Sequence, residues 1–206
     1  MNHDPMPVLT RTCAWLAPLF AIVAFVGFAV VIGSRSMSEA AQEPAIFVPT
    51  IAALASVLAL GATLVGLFQA TSDSLGSFGR AAFVVALLGS MLVAGAQWSY
   101  VFVVPYFDEA APKLVDSGQG ILLAGFIISY ATFAIGWVLL GLALMHAGVL
   151  SRGIGTFLVV GAAVSFLPLP SRTLLLAIAA LVVVRHVQAG SSPSPAHSAA
   201  PEPVTA

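Results

Sequence analysis

Four uncharged apolar runs, Ala14–Gly33, Phe47–Gln69, Ala81–Val104 and Ile121–Met145, dominate the chain. Each holds about twenty residues or more, the number a helix rising ~1.5 Å per residue needs to cross a hydrocarbon layer of ~30 Å. No Asp, Glu, Lys, Arg or His stands near the centre of any run. A fifth apolar block, Ile154–Val184, is interrupted by Pro168-Leu169-Pro170. Two prolines so close together end a helix, leaving two segments of about fifteen residues each, shorter than a standard span. They are read either as two thin spans or as a hairpin that enters and returns. Both ends of the block fall on the same face in either case. The expected fold is therefore all-α, a polytopic transmembrane helical bundle of six membrane segments.

Composition closes off the main alternatives. The chain is 60% hydrophobic and 7% charged with a mean hydropathy of +1.06, against about 25% charged in an average soluble domain. In water its apolar surface would have no cover. The net charge of −1 offers no basic patch to displace counterions from phosphate, which argues against a nucleic-acid partner. A single cysteine, Cys13, allows neither an intrachain disulfide nor a cysteine metal cluster. It reads as a small apolar residue near one membrane face.

The chain divides into an N-terminal segment (1–12), a transmembrane domain (13–187) and a Gly/Ser/Pro/Ala-rich tail (188–206) too poor in apolar residues to fold. The first run, at about twenty residues, is long for a signal-peptide core of about 7–15, so it reads as a retained span. Pro18 falls near its start, where a missing N–H costs least. Ser36 and Glu39 have capping-box spacing in the first connection. Ala52, Ser56, Gly61 and Gly66 offer close helix contact in the second span, and Ala86, Ser90 and Ala94 form a small-residue stripe on the third. Leu60–Leu67 and Ile135–Leu142 share a Gly-spaced pattern, each followed by a turn with an arginine, which raises the expectation of parallel repeats. Arg11, Arg80, Arg152 and Arg185 fall at tips on one face, and Arg35, Lys113 and Arg172 on the other. The majority favours the first face, with both termini, as cytoplasmic.

Chemistry is sparse. His3, His146, His186 and His197 lie at the edges of the apolar runs. No nucleophile elbow, Walker loop or dinucleotide fingerprint is present, and no cofactor is expected. Two groups remain as candidates. Gln97, Ser99 and Tyr100 on the third span sit at a depth similar to Ser129, Tyr130 and Thr132 on the fourth. Gln97 and Tyr100 are three apart and share a helix face, from which they can meet Tyr130. Such residues serve interhelical hydrogen bonding or line a small pocket for a lipid or other amphipathic molecule. Trp98, Tyr100 and Tyr106 also fit an aromatic belt. The second group, Asp108, Glu109 and Asp116, forms an acidic tip over 105–120. It is too small by itself for an oxygen-ligated cation, which takes about six ligands, and is suited to docking a partner.

Gly136-Trp137-Val138-Leu139-Leu140-Gly141-Leu142-Ala143-Leu144, with Gly148–Gly153 and Phe157–Gly161 after it, resembles a loose group of small, uncharacterised multi-pass membrane proteins from high-GC bacteria. Ser151 stands where that group commonly has proline. The resemblance covers roughly the last third of the chain and implies a bacterial inner-membrane location with no assigned activity. The function expected is that of a structural or accessory membrane protein that binds a protein partner or lipid without catalysis, as a monomer or homo-oligomer. An uncoupled permease or exporter is the first alternative. It would be marked by a lumen-facing row of Gln97, Ser99, Ser129 and Thr132. An intramembrane enzyme using the acidic tip is the second.

Overall fold

The structure, a computed structural model, describes residues 6–32, 44–110, 112–167 and 172–190, with side chains except at 32, 44, 104–110, 112–119 and 122. Among the described residues there are six α-helices: α1 (Val8–Ile32), α2 (Phe47–Thr71, entered through a 3-10 turn, Pro44–Ile46), α3 (Ser77–Ala110), α4 (Pro112–His146), α5 (Arg152–Val164) and α6 (Leu174–Gly190). Four stretches, Val8–Val31, Phe47–Thr71, Ser77–Val103 and Leu123–His146, are long and apolar enough to cross a membrane. The chain is an all-helical membrane protein. Successive helices pack on one another, and α6 closes against α1 while also touching α2, so the six form a ring in chain order. The far end of the bundle is where α1 leads to α2 and α3 to α4; the near end carries the opposite turns.

The most extensive interface joins α3 to α4, and small residues explain it. A methyl added at Gly136 would strike the backbone of Ala86, and one at Gly89 the backbone of Phe133. The two helices therefore approach backbone to backbone, on the stripe that contains Ala86 and Ser90. Their seam buries Phe133, Trp137, Leu140 and Leu144, which meet Leu60, Leu64, Leu158 and Leu176 in one core. On α2 the small residues serve α1: Gly66 abuts Thr10, and Ser56 Oγ donates to the Ala17 carbonyl at 3.0 Å. Gly61, expected to share this work, has nothing within 4 Å of its would-be Cβ. The near end is closed after α4 by Gly148 at φ +71°. There the Val149 N–H returns to the Leu144 carbonyl (3.0 Å) and the Gly148 N–H to Met145 (3.1 Å). This is the left-handed cap that glycine adopts without steric cost.

Several boundaries differ from those the sequence suggests. Helix α1 begins at Val8, within the N-terminal segment set apart from the first span, because nothing from Val8 to Thr12 breaks a helix. Pro18 consequently lies well inside α1, leaving the Ala14 carbonyl without its usual amide donor. The region 105–120, read as a connection, is helical through Ala110 and again from Pro112. Proline suits the first position of a helix, where its missing N–H is not required. Helix α6 continues to Gly190, and residues 191–206 of the expected tail lie outside the described residues, as do Ser36 and Glu39. Helix α5 has 13 residues where α3 has 34, so the repeat suggested by Leu60–Leu67 and Ile135–Leu142 ends with its first helix.

The α5–α6 hairpin is short. Its 13-residue and 17-residue arms measure about 20 and 26 Å at helical rise. The described end of the second arm lies well inside the far end. Thr173 Oγ1 lies 3.4 Å from Ser56 Oγ, and Ser56 is nine residues, roughly 14 Å, inside the far end of α2. The reading of Arg172 as a residue of the far tip is therefore corrected. Pro168 and Pro170 lie outside the described residues, and the ends of the hairpin that flank them, through Leu167 and from Arg172, lie inside the bundle.

Candidate functional site

Tyr130 is only 3% exposed, and its Oη accepts a hydrogen bond of 2.7 Å from Gln97 Nε2. This joins α3 to α4 seven residues inside Leu123, the far boundary of the apolar stretch of α4. Tyr100, one turn along α3 from Gln97, meets the Phe126 ring edge-on with centroids 4.5 Å apart. Phe126 in turn stacks on Tyr130 at 5.9 Å. The guanidinium of Arg172, at the end of the hairpin turn, lies over the Tyr130 ring, its Cζ 4.4 Å from the centroid. Gln97, Tyr100, Phe126, Tyr130 and Arg172 thus form one cluster built from α3, α4 and the hairpin.

Three of the six side chains expected in a pocket bond within their own helices and lie outside this cluster. Ser99 bonds to the Gly95 carbonyl (3.0 Å), Ser129 to Gly125 (2.7 Å) and Thr132 to Ile128 (2.8 Å), each four residues back in its own helix. Their hydroxyl protons are committed to the backbone, which leaves each oxygen an acceptor only. Asp108, Glu109 and Asp116 are on helical backbone, and their side chains lie outside the described ones. Asp116 is 14 residues from Tyr130 along α4, roughly 21 Å of helical rise.

Phe126 and Arg172 are the residues of this cluster that sequence reasoning missed. A signal for Arg172 existed: it is the one charged residue inside the Ile154–Val184 block, and a charge within an apolar stretch is costly and functional by default. The adjacent prolines disguised it as a tip residue. Contact with the Tyr130 face returns about 0.5–2 kcal/mol of cation–π attraction, more as water is excluded. Asp73, the described acidic side chain, sits exposed in the α2–α3 turn at the near end. Among the described residues no three His, Cys, Asp or Glu side chains gather in a way that would hold a metal ion.

The Gln97–Tyr130 bond is expected to contribute little to stability. Interhelical polar pairs in membranes average about 0.6 kcal/mol, so Tyr130→Phe and Gln97→Ala should each shift unfolding by a similarly small amount through this bond. A double-mutant cycle on detergent-purified protein should return a coupling energy of about that size. A coupling near zero would mean that the two groups do not meet. Compared with known proteins, the chain matches no family model, no curated protein and no solved structure.

Proposed function

We propose that this is a multi-pass protein of the bacterial inner membrane with a non-catalytic, accessory role, and that it holds a lipid in the far half of its bundle. The carrying observation is the uncovered far half of α4. Helices α5 and α6 stand between α4 and α1 in the ring, and both stop short. Beyond the level of Tyr130, the side chains or Cα atoms of Ile121, Leu123, Ala124, Gly125, Ile127 and Ile128 are all exposed. At 3.6 residues per turn these positions cover one arc of about 200°, away from Phe126, Ser129 and Tyr130. Nearer the other end only Ile135, Leu142 and His146 of α4 are exposed, so the flank beside the short hairpin is open here along with the ordinary outer face. An amphipathic molecule from the far leaflet fits such a gap. For orientation, removing Arg172 from the tip count leaves Arg11, Arg80, Arg152 and Arg185 against Arg35 and Lys113. That margin favours cytoplasmic termini under the positive-inside rule.

The test is native mass spectrometry of the full chain released from native nanodiscs. One lipid should remain bound per chain through a mild detergent wash, and its retention should fall on Gln97→Ala, which removes the brace on Tyr130. A chain that emerges bare from every lipid composition would overturn this reading. A stoichiometric second protein in place of lipid would assign the gap to a protein partner instead.

A further inference from the structure

Resting on that reading, we propose that the bound lipid is anionic and that Arg172 takes its phosphate. A guanidinium is always ionised, and in an apolar bundle its charge is expensive unless it is paired or hydrated. No described carboxylate stands near it: Asp73 is at the other end of the bundle. The helical rise carries Asp116 about 21 Å beyond Tyr130. The Tyr130 ring beneath the guanidinium offsets part of the cost, and no described carboxylate takes its N–H donors. A second positive influence adds to the first. Arg172 lies two residues before Leu174, the first residue of the 17-residue helix α6, whose N-terminus itself carries a partial positive charge. Both ask for an anion, whereas an arginine placed only for stability would sit better at a helix C-terminus.

Depth makes a phospholipid the occupant. The hairpin arm of about 20 Å is roughly 10 Å shorter than a typical hydrocarbon core, and a short segment is met by local thinning of the bilayer. Headgroups of the far leaflet therefore dip beside the hairpin turn, toward the level of Arg172. A phosphate presents two oxygens to the guanidinium fork, the geometry in which arginine binds most strongly. Tyr130 Oη accepts from Gln97 and keeps its own proton, so it can donate to the same headgroup. Phe126, Phe166 and Leu167, half-buried or exposed around the turn, supply apolar contact for the glycerol and upper chains.

The experiment compares the full chain in nanodiscs of phosphatidylcholine with nanodiscs containing equal phosphatidylcholine and phosphatidylglycerol, read by native mass spectrometry after detergent release. The wild type should retain phosphatidylglycerol at least tenfold over phosphatidylcholine. Arg172→Gln should abolish that preference while still retaining lipid, Arg172→Lys should keep part of it, and Arg80→Gln, at an exposed near-end position, should leave it unchanged. Should Arg172→Gln fail to fold, the wild type decides alone: its midpoint of thermal unfolding should rise with the phosphatidylglycerol fraction. Equal retention of the two lipids by the wild type, or an undiminished preference in a folded Arg172→Gln, overturns the anionic assignment and leaves the lipid reading standing. No retained lipid of either kind removes both.

Discussion

Gly136→Val should destabilise the folded bundle by about 3 kcal/mol, while Gly61→Ala changes stability by no more than about 0.5 kcal/mol. The difference lies in what each new side chain meets. A Cβ at Gly136 would collide with the backbone N and Cα of Ala86, and its counterpart Gly89 faces the backbone of Phe133 and Thr132 in the same way. Overpacking costs about 1–3 kcal/mol when neighbouring side chains can shift to relieve it. Here the obstacle is backbone, so no rotamer change helps and the two helices must move apart along their length. At Gly61 no atom lies within 4 Å, so the added methyl meets open space. Valine at Gly89 should cost as much as valine at Gly136. The double substitution should cost less than the sum, because the first already opens the seam. Equilibrium unfolding of purified protein by added denaturing detergent, followed by circular dichroism, would measure all four variants. Equal midpoints for Gly136→Val and Gly61→Ala would mean that α3 and α4 do not approach at these residues.

That seam is partly legible in the sequence. Ala86, Ser90 and Ala94 at four-residue spacing point at one neighbour, and residues of similar depth on adjacent antiparallel spans, such as Gln97 and Tyr130, have a good chance of meeting. Span positions were legible for a simpler reason, since the length of an uncharged run is almost the only thing a bilayer demands. Other features had no such signal. Whether Ser99, Ser129 and Thr132 bond across helices or to their own carbonyls is not set by spacing, because the carbonyl four residues back is within reach in every helix. The depth of Arg172 depends on how far the hairpin rises against α2 and α4, a tertiary property. Prolines beside a charge look the same in a loop outside the membrane and in a turn within it. The helical backbone through Asp108 and Glu109 was hidden by the convention that charge ends a span. Charge ends the buried part of a helix, and the helix itself can continue into water.

Trp137→Ala is the second large effect, expected at about 3 kcal/mol, the lower end of the ~3–5 kcal/mol seen for aromatic truncations in cores. Trp137 has no exposed surface and is the largest fully buried side chain of the bundle. Its ring meets Phe133 at 6.3 Å with an interplanar angle of 61°, and its Nε1 donates to Ser90 Oγ at 3.3 Å. In water, part of such a loss would come from burying apolar surface. Between helices in lipid that term nearly vanishes, since hydrocarbon outside is as apolar as the core. What remains is lost dispersion contact and the cavity left behind, which is why the lower end is expected. Trp137→Phe separates the parts: it keeps much of the volume and loses the indole bond, and should cost about 1 kcal/mol. Ser90→Ala should cost as much or more, about 1–2 kcal/mol, because it leaves the buried Trp137 Nε1–H without its acceptor, whereas phenylalanine removes the donor and leaves Ser90 Oγ bonded to the Ala86 carbonyl at 2.8 Å. Midpoints for the three variants under one denaturing-detergent titration should place Trp137→Ala as the most destabilised, with Ser90→Ala at or beyond Trp137→Phe. If alanine at 137 cost no more than phenylalanine, lipid or a rearranged side chain would be filling the space, and the centre of the ring would be open to the bilayer rather than packed.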